Sequence, residues 1–238
     1  MLAFWFPNLK TRAIDPELMD NAQSDTQKLL KTLSQFKLLN FLFSRSRSLL
    51  KKIVLPEIKK NPDRPYTFLD LGAGGCDLPI WLIKKSRKLG IKLQITCLEI
   101  DSRIIHFAAQ KIKNYPEITL LHHSALEIEN LPDPDFIFAN HLLHHLDDNA
   151  IKRILPLCLS KSRINFILND IYRSRAAYLG YTVFTGLFLR RSFAFADGRL
   201  SIAKGFREKE LEQLTAPLQD IRILRLSPAR IALTRPRE

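Results

Sequence analysis

Phe68-Leu69-Asp70-Leu71-Gly72-Ala73-Gly74-Gly75-Cys76-Asp77-Leu78 decides how this chain is read. An apolar run of strand character meets an acid, then a glycine-rich turn, then the start of a helix. Glycines let a backbone approach a ligand with no Cβ in the way. The helix that follows opens with unpaired N–H groups. This order builds a nucleotide cradle, and the glycine spacing limits which nucleotide it takes. A dinucleotide fingerprint reads G-x-G-x-x-G. Gly72 and Gly74 satisfy its first two positions, but Asp77 stands at the third, where a carboxylate would repel a pyrophosphate. No G-K-[ST] follows, which excludes a phosphate P-loop. The plain alternative is a tight strand-to-helix turn with no ligand.

An acid just before the turn, Asp70, suits a ligand that carries positive charge. S-adenosylmethionine has an ammonium and a sulfonium and no phosphate. The next strand supports it. Residues 92–98 are β-rich and end at Glu99-Ile100-Asp101-Ser102, followed by a helical pattern from Arg103. An acid at the tip of a second strand accepts two hydrogen bonds from a ribose diol, and Glu99 is assigned that role. The alternative is a solvated strand end. Asp101 and Ser102 suit the start of the helix as cap residues.

These residues together resemble the class I S-adenosylmethionine-dependent methyltransferases. Asp70 to Gly75 match the first motif and Leu98 to Asp101 the second acidic motif. Asp135-Phe136-Ile137-Phe138-Ala139-Asn140-His141-Leu142-Leu143-His144-His145-Leu146 resembles the fourth-strand motif. The resemblance spans residues 66 to 235. It is closest to a bacterial small-molecule subgroup with a helical N-terminal extension, which Asn169-Asp170, Leu200-Ser201-Ile202 and Gly205-Phe206-Arg207 also resemble. It implies S-adenosylmethionine as cofactor, held by Asp70, Gly72, Ala73, Gly74, Asp77, Leu78, Glu99, Ile100, Ser124, Ala125, Asn140 and His141. Two departures stand out: Cys76 replaces a third glycine, and Ser124 replaces the Asp that usually holds the adenine amine.

The implied architecture is an α/β, Rossmann-like open sheet with helices on both faces. Strands are expected near 66–71, 92–98, 117–122, 135–139 and 163–168. Alternating strands and helices imply parallel strands with right-handed crossovers. Asp220–Leu226 and Ala229–Thr234, joined by Ser227-Pro228, complete seven strands as an antiparallel hairpin. Residues 1–60 form a helical extension or cap. Its apolar stripe runs from Leu29 to Phe43, and a second helix ends near Pro56. Asn61 to Pro65 is a linker, and residues 61–238 are the methyltransferase domain with a lid insertion at about 172–205. Within that insertion, Ala176 to Leu189 is almost wholly apolar, with Arg173 and Arg175 before it and Arg190 and Arg191 after. It spans roughly 21 Å as a helix, short of a ~30 Å bilayer core. Three roles stay open for it: a lid over an apolar acceptor, a core helix against the sheet, or an interfacial anchor.

Ligands of open α/β sheets bind at the carboxyl ends of the strands, so the residues after strand four carry the chemistry. A hydroxyl acceptor must lose its proton, and histidine is the usual base. His144 or His145 is expected to assist, with Asp170 as a second candidate that serves equally as a helix cap. His122/His123 and His144/His145 invite a metal reading. Neighbours on a helix point about 100° apart, however, and no Cys or H-E-x-x-H partner is present, so no metal is expected.

The charge of +13 admits a basic solvated surface, an anionic membrane contact or a nucleic acid. Against nucleic-acid bases, Asn140-His141-Leu142-Leu143 lacks the prolines of base amine methyltransferases, and Cys158 does not follow a proline. The three scattered cysteines exclude a disulfide framework. With no signal-peptide pattern in the short apolar start Met1–Pro7, the expected place is the cytoplasm, with peripheral membrane contact as an option. The expected function is methyl transfer to oxygen or carbon of a small apolar or aromatic acceptor. The competing readings are an RNA methyltransferase and a cofactor-binding protein without activity.

Overall fold

The computed structural model describes residues 7–189 and 191–236. The start before Pro7 and Arg190 lie outside the described residues. The first motif forms β1 (Tyr66–Leu71), the glycine turn and α3 (Asp77–Lys88). It is preceded by α1 (Thr26–Phe43) and α2 (Ser46–Lys60). Next come β2 (Leu93–Glu99), α4 (Ser102–Ile112), β3 (Ile118–His122) and β4 (Phe136–Asn140). After β4, a 3-10 turn at Leu143–His145 leads into α5 (Asp148–Lys161) and β5 (Asn165–Ile171). The chain then forms α6 (Arg175–Phe188), α7 (Ala194–Lys204) and α8 (Glu208–Thr215), and closes with β6 (Arg222–Leu226) and β7 (Arg230–Thr234).

The sheet order is β3-β2-β1-β4-β5-β7-β6. β1 to β5 run parallel, and β7 lies antiparallel between β5 and β6. The strand order reverses between β1 and β4, and the register sets Leu71 beside both Leu98 and Ala139. The carboxyl ends of β1, β2, β4 and β5 therefore meet at one edge. Both faces are covered. One packs Leu50, Val54, Leu82, Ile83 and Ala108 of α2, α3 and α4 against Phe68 and Phe138. The other packs Ile151, Ile154, Leu155, Leu211 and Leu214 of α5 and α8 against Leu69, Ile137 and Leu168.

Two expectations change. α2 does not stop at Pro56 but runs to Lys60, because Ile53, Val54 and Ile58 are buried together on its inner face. That packing outweighs the backbone bond a proline cannot donate. The apolar segment forms one helix, α6, which ends at Phe188, and a second helix of the insertion, α7, begins at Ala194. α7 packs on α6 through Gly198, where a Cβ would stand 1.9 Å from the Tyr181 hydroxyl. α6 is also not a core helix on the sheet: it buries Tyr178, Thr182 and Thr185 but exposes Val183, Leu187 and Phe188. No helix among the described residues is long and apolar enough to cross a membrane.

Before α1 the chain forms a strap whose one helical turn is a 3-10 turn at Leu18–Asp20. Ala13 N–H donates to Ala203 O at 3.1 Å. The N–H groups of Leu18 and Met19 both donate to the buried Asp197 carboxylate at 2.9 Å. The Arg103 guanidinium of α4 donates to Ser24 O at 3.0 Å. Buried Arg173 donates to Leu9 O and Gly205 O at 3.1 and 2.5 Å. The strap thus ties the carboxyl edge of the sheet to α4 and α7.

Candidate active site

The glycine turn forms the floor of the site. Gly72 and Gly74 hold φ of +67° and +52°, a left-handed conformation that side chains resist. A Cβ on Gly74 would meet nothing within 4 Å, so open space lies beside the turn. Cys76 holds φ +55° as well, the conformation the missing third glycine would have adopted. Its side chain is fully buried and packs in the core with Cys97 rather than lining the cradle.

Glu99 sits at the carboxyl end of β2 and is 8% exposed. Its Oε2 accepts Gly74 N–H at 3.0 Å, and Oε1 accepts the N–H groups of Ile100 and Asp101 at 2.9 and 3.1 Å. Those bonds fix the carboxylate against the turn. Burial nevertheless pushes Glu99 above the usual carboxylate range. Asp70 is pushed well above it, by burial first and then by the Glu99 charge. Two carboxyl groups buried together repel each other unless one is protonated or a cation arrives. A ligand that brings an ammonium and a ribose diol fits both groups. Ile100, 69% exposed beside Glu99, offers an apolar face to a purine. Ser124 Oγ accepts Leu126 N–H at 3.2 Å, and His123 N–H donates to Glu99 O at 3.0 Å, so this loop borders the same cradle. Ala125 and Leu78 are half-buried and Ala73 N–H donates to Leu98 O at 2.9 Å.

Two assigned residues point elsewhere. The Asp77 carboxylate is held by Lys111 Nζ at 2.8 Å, and the same ammonium donates to Gly75 O at 2.6 Å. Asp77 therefore braces the turn, and part of its charge is already matched. Asn140 Oδ1 accepts from Ser46 Oγ and Asn169 Nδ2 at 2.7 and 2.8 Å. That oxygen locks the start of α2 to β5.

The histidines separate into distinct environments. His144 is buried; its Nδ1 lies 2.7 Å from Asp170 Oδ1, and its Nε2 lies 3.6 Å from Glu17 Oε1. Burial opposes its charge, but Asp170 and Glu17 outweigh burial and raise it to about 9. Glu17, opposed by burial, is held down to about 2 by His144, His145 and Lys204. Asp170, likewise opposed by burial, is held well below the carboxylate range by His144. His144 is therefore an imidazolium at neutral pH, which cannot take a proton. His145 is more exposed, with Nδ1 3.1 Å from Asp20. His141 differs: burial, and then the Arg230 cation, lower it well below the ordinary imidazole range. It is half-buried at the end of β4, with φ +63°. Its neighbour Leu142 lies 3.4 Å from the place of a Cβ on Gly72. His141 thus stands at the strand-order reversal as a neutral imidazole.

The adjacent pair does not follow the α-helix geometry expected of it. In the 3-10 turn the His144 and His145 rings lie 4.3 Å apart. Glu17, His144 and His145 bring ligand-type atoms within 4.8 Å of one another, as do His141, His144 and Asp170. Lys204 Nζ, 3.4 Å from Glu17 Oε1, and the His144 charge already balance the buried carboxylates. The cluster reads as an ion network that seats the strap. Glu17, Lys204 and Arg230 were not singled out from sequence. Glu17 lies in the N-terminal segment, and no local pattern links it to His144.

Residues 68–160 match the family described as a methyltransferase domain. Residues 68–160 form a methyltransferase domain of the S-adenosylmethionine-dependent class. The match runs from β1 to the end of α5 and holds the glycine turn, Glu99 and His141. Among structures, the chain is similar to a plantazolicin methyltransferase in complex with a triazolic desmethylplantazolicin analogue and S-adenosylhomocysteine, with TM-score 0.64, 15% identity and coverage of 92% of this chain and 95% of that one. It is also similar to human N-acetylserotonin methyltransferase, with TM-score 0.57, 13% identity and 88% and 56% coverage. At these identities the likeness is one of fold. Among curated proteins, 108 residues are 26% identical to a citrinin polyketide synthase of Monascus ruber, covering 45% of this chain and 4% of that protein. A further 25% identity over 113 residues relates it to an rRNA adenine N-6-methyltransferase of Escherichia coli, covering 48% of this chain and 42% of that protein. The chain thus matches less than half the length of these curated relatives.

Proposed function

We propose that this methyltransferase domain moves the methyl group of S-adenosylmethionine to a hydroxyl of a small, apolar acceptor. The observation that carries this reading is the glycine turn with the Glu99 carboxylate fixed against it at the carboxyl edge of the sheet, where His141 follows β4. In this reading the ribose diol binds Glu99, the purine covers Ile100, and the ammonium relieves the Asp70–Glu99 repulsion. The acceptor hydroxyl attacks the sulfonium methyl in line, and His141 takes its proton. Alignment of the two reactants supplies most of the rate, and an imidazole held below its ordinary range, a weaker base than one poised near neutrality, adds at the low end of roughly 10²–10⁴-fold. His144 and Asp170 act as a buried ion pair that positions the loop after β4. His145, paired with Asp20, belongs to the same support. Asn169 Oδ1 and Arg230 Nε are buried with no hydrogen-bond partner among the described residues. They leave capacity for a polar group of the acceptor.

The rRNA relative matches 113 residues of this chain, but the four residues after Ala139 lack the prolines that shape a base pocket. Release of S-adenosylhomocysteine against a panel of phenols and long-chain hydroxy compounds tests the reading. Turnover with a panel member, lost at least 100-fold in His141→Gln with donor affinity retained, supports it. Methyl incorporation into RNA and none into the panel would overturn it.

A further inference from the structure

Seven of the eleven exposed large apolar side chains among the described residues lie on two helices that touch each other. α1 presents Leu38, Phe41, Leu42 and Phe43, and α6 presents Val183, Leu187 and Phe188, the last 68% exposed. The helices are joined edge-to-face by Phe43 and Phe184, with ring centres 5.5 Å apart. The exposed apolar faces of the two helices therefore adjoin at this contact. Isolated exposed apolar residues need no explanation, but a continuous patch with aromatic side chains marks a contact surface.

The chain segments that carry the patch hold one sign of charge. Residues 26–56 contain seven lysines and arginines and no acid, and residues 174–196 contain three arginines and no acid. Arg47 connects the patch to a second feature. Its guanidinium lies 4.9 Å from the Phe41 ring and 5.7 Å from the Trp81 ring. Trp81 opens a cavity of about 460 Å³ whose other lining residues are Lys84, Lys85, Arg87 and Lys88. Arg87 is paired with Glu117 at 2.7 Å. Lys84, Lys85 and Lys88 have no carboxylate partner among the described residues.

We propose that this face docks on an anionic lipid bilayer, with the tips of α1 and α6 among the acyl chains and the cavity on α3 receiving lipid headgroups. An apolar helical face edged with Lys and Arg is the arrangement that lies in a membrane interface. Unpaired basic side chains add attraction to an anionic leaflet. A second copy of the chain would set +13 against +13 and gains nothing from the lysines. RNA would use the lysines but leave the aromatic tips in water. Binding to lipid is measured with neither methyl donor nor acceptor present, so it stands or falls apart from the methyl-transfer reading.

The test is cosedimentation with vesicles of phosphatidylcholine alone and with phosphatidylglycerol added, at low and high salt. The wild type is expected to bind the anionic vesicles at least tenfold better, with the difference lost in high salt. Phe41→Ser with Phe188→Ser is expected to weaken that binding at least tenfold, and so is Lys84→Glu with Lys88→Glu. Unchanged circular dichroism melts and unchanged S-adenosylhomocysteine affinity confirm that these exposed positions leave the fold intact. No binding at low salt would overturn the proposal. So would a concentration-dependent dimer that the Phe pair dissolves, or tighter binding to single-stranded RNA that ignores the Phe pair.

Discussion

Replacing His144 by Gln should unseat the ion network that holds the N-terminal strap. The imidazolium is buried between Asp170, at 2.7 Å, and Glu17, at 3.6 Å. Its rise from 6.5 to about 9, at about 1.36 kcal/mol per unit, corresponds to about 3 kcal/mol. Removing one partner of a buried pair typically costs about 3–5 kcal/mol, because the remaining charge stays uncompensated. The two figures describe the same interaction and do not add. The pH dependence has a definite sign. A raised imidazole contributes fully below its unfolded value of 6.5 and loses that contribution as pH climbs through about 9. Glu17, lowered from 4.5 to about 2, contributes above 4.5 and loses its part as pH falls toward 2. Wild-type stability should therefore be highest near pH 4.5–6.5 on these groups and decline between 6.5 and 9.5. Urea unfolding of both proteins at pH 6, 7.5 and 9.5 reads this directly. The gap between them should be about 3 kcal/mol at pH 6 and shrink with alkalinity. A cost under about 1 kcal/mol, or a gap that does not change with pH, would refute the network.

Other consequences follow from particular contacts. Gly198→Ala places a Cβ 1.9 Å from the Tyr181 hydroxyl and should lower stability by about 1–3 kcal/mol through overpacking, read as a lower Tm. Lys111→Met frees Asp77 and Gly75 O and should weaken S-adenosylhomocysteine binding a few-fold in a fluorescence titration, with the melt little changed. Arg230→Met should raise the acceptor KM more than it lowers kcat, since the buried guanidinium lies beside His141 rather than at the donor. An equal loss in kcat would place Arg230 in the chemical step instead.

The parallel core of this fold was legible because each strand ends at a distinctive junction. The glycine turn follows β1, Glu99 closes β2, and Asn140-His141 closes β4, all at the spacing of βαβ units. Asp101 reads correctly as a cap from sequence: its side chain accepts Arg103 N–H at 2.8 Å. What could not be read locally came from distant packing. Pro56 marks a helix end by its own chemistry, yet Ile53, Val54 and Ile58 hold the helix beyond it. Glu17 meets His144 only because the strap crosses the carboxyl edge of the sheet. The same contact raises the expected base, His144, to about 9. Cys76 occupies a left-handed position because burial beside Cys97 outweighs a modest backbone cost.

The central claim is that the glycine turn and Glu99 form the seat of S-adenosylmethionine. Calorimetric titration of S-adenosylhomocysteine into the wild type and Glu99→Ala tests it most directly. The account predicts saturable one-to-one binding in the wild type and affinity at least tenfold weaker in the variant, because charge-assisted bonds to the ribose are lost. No binding in the wild type, or equal affinity in the two proteins, would contradict it.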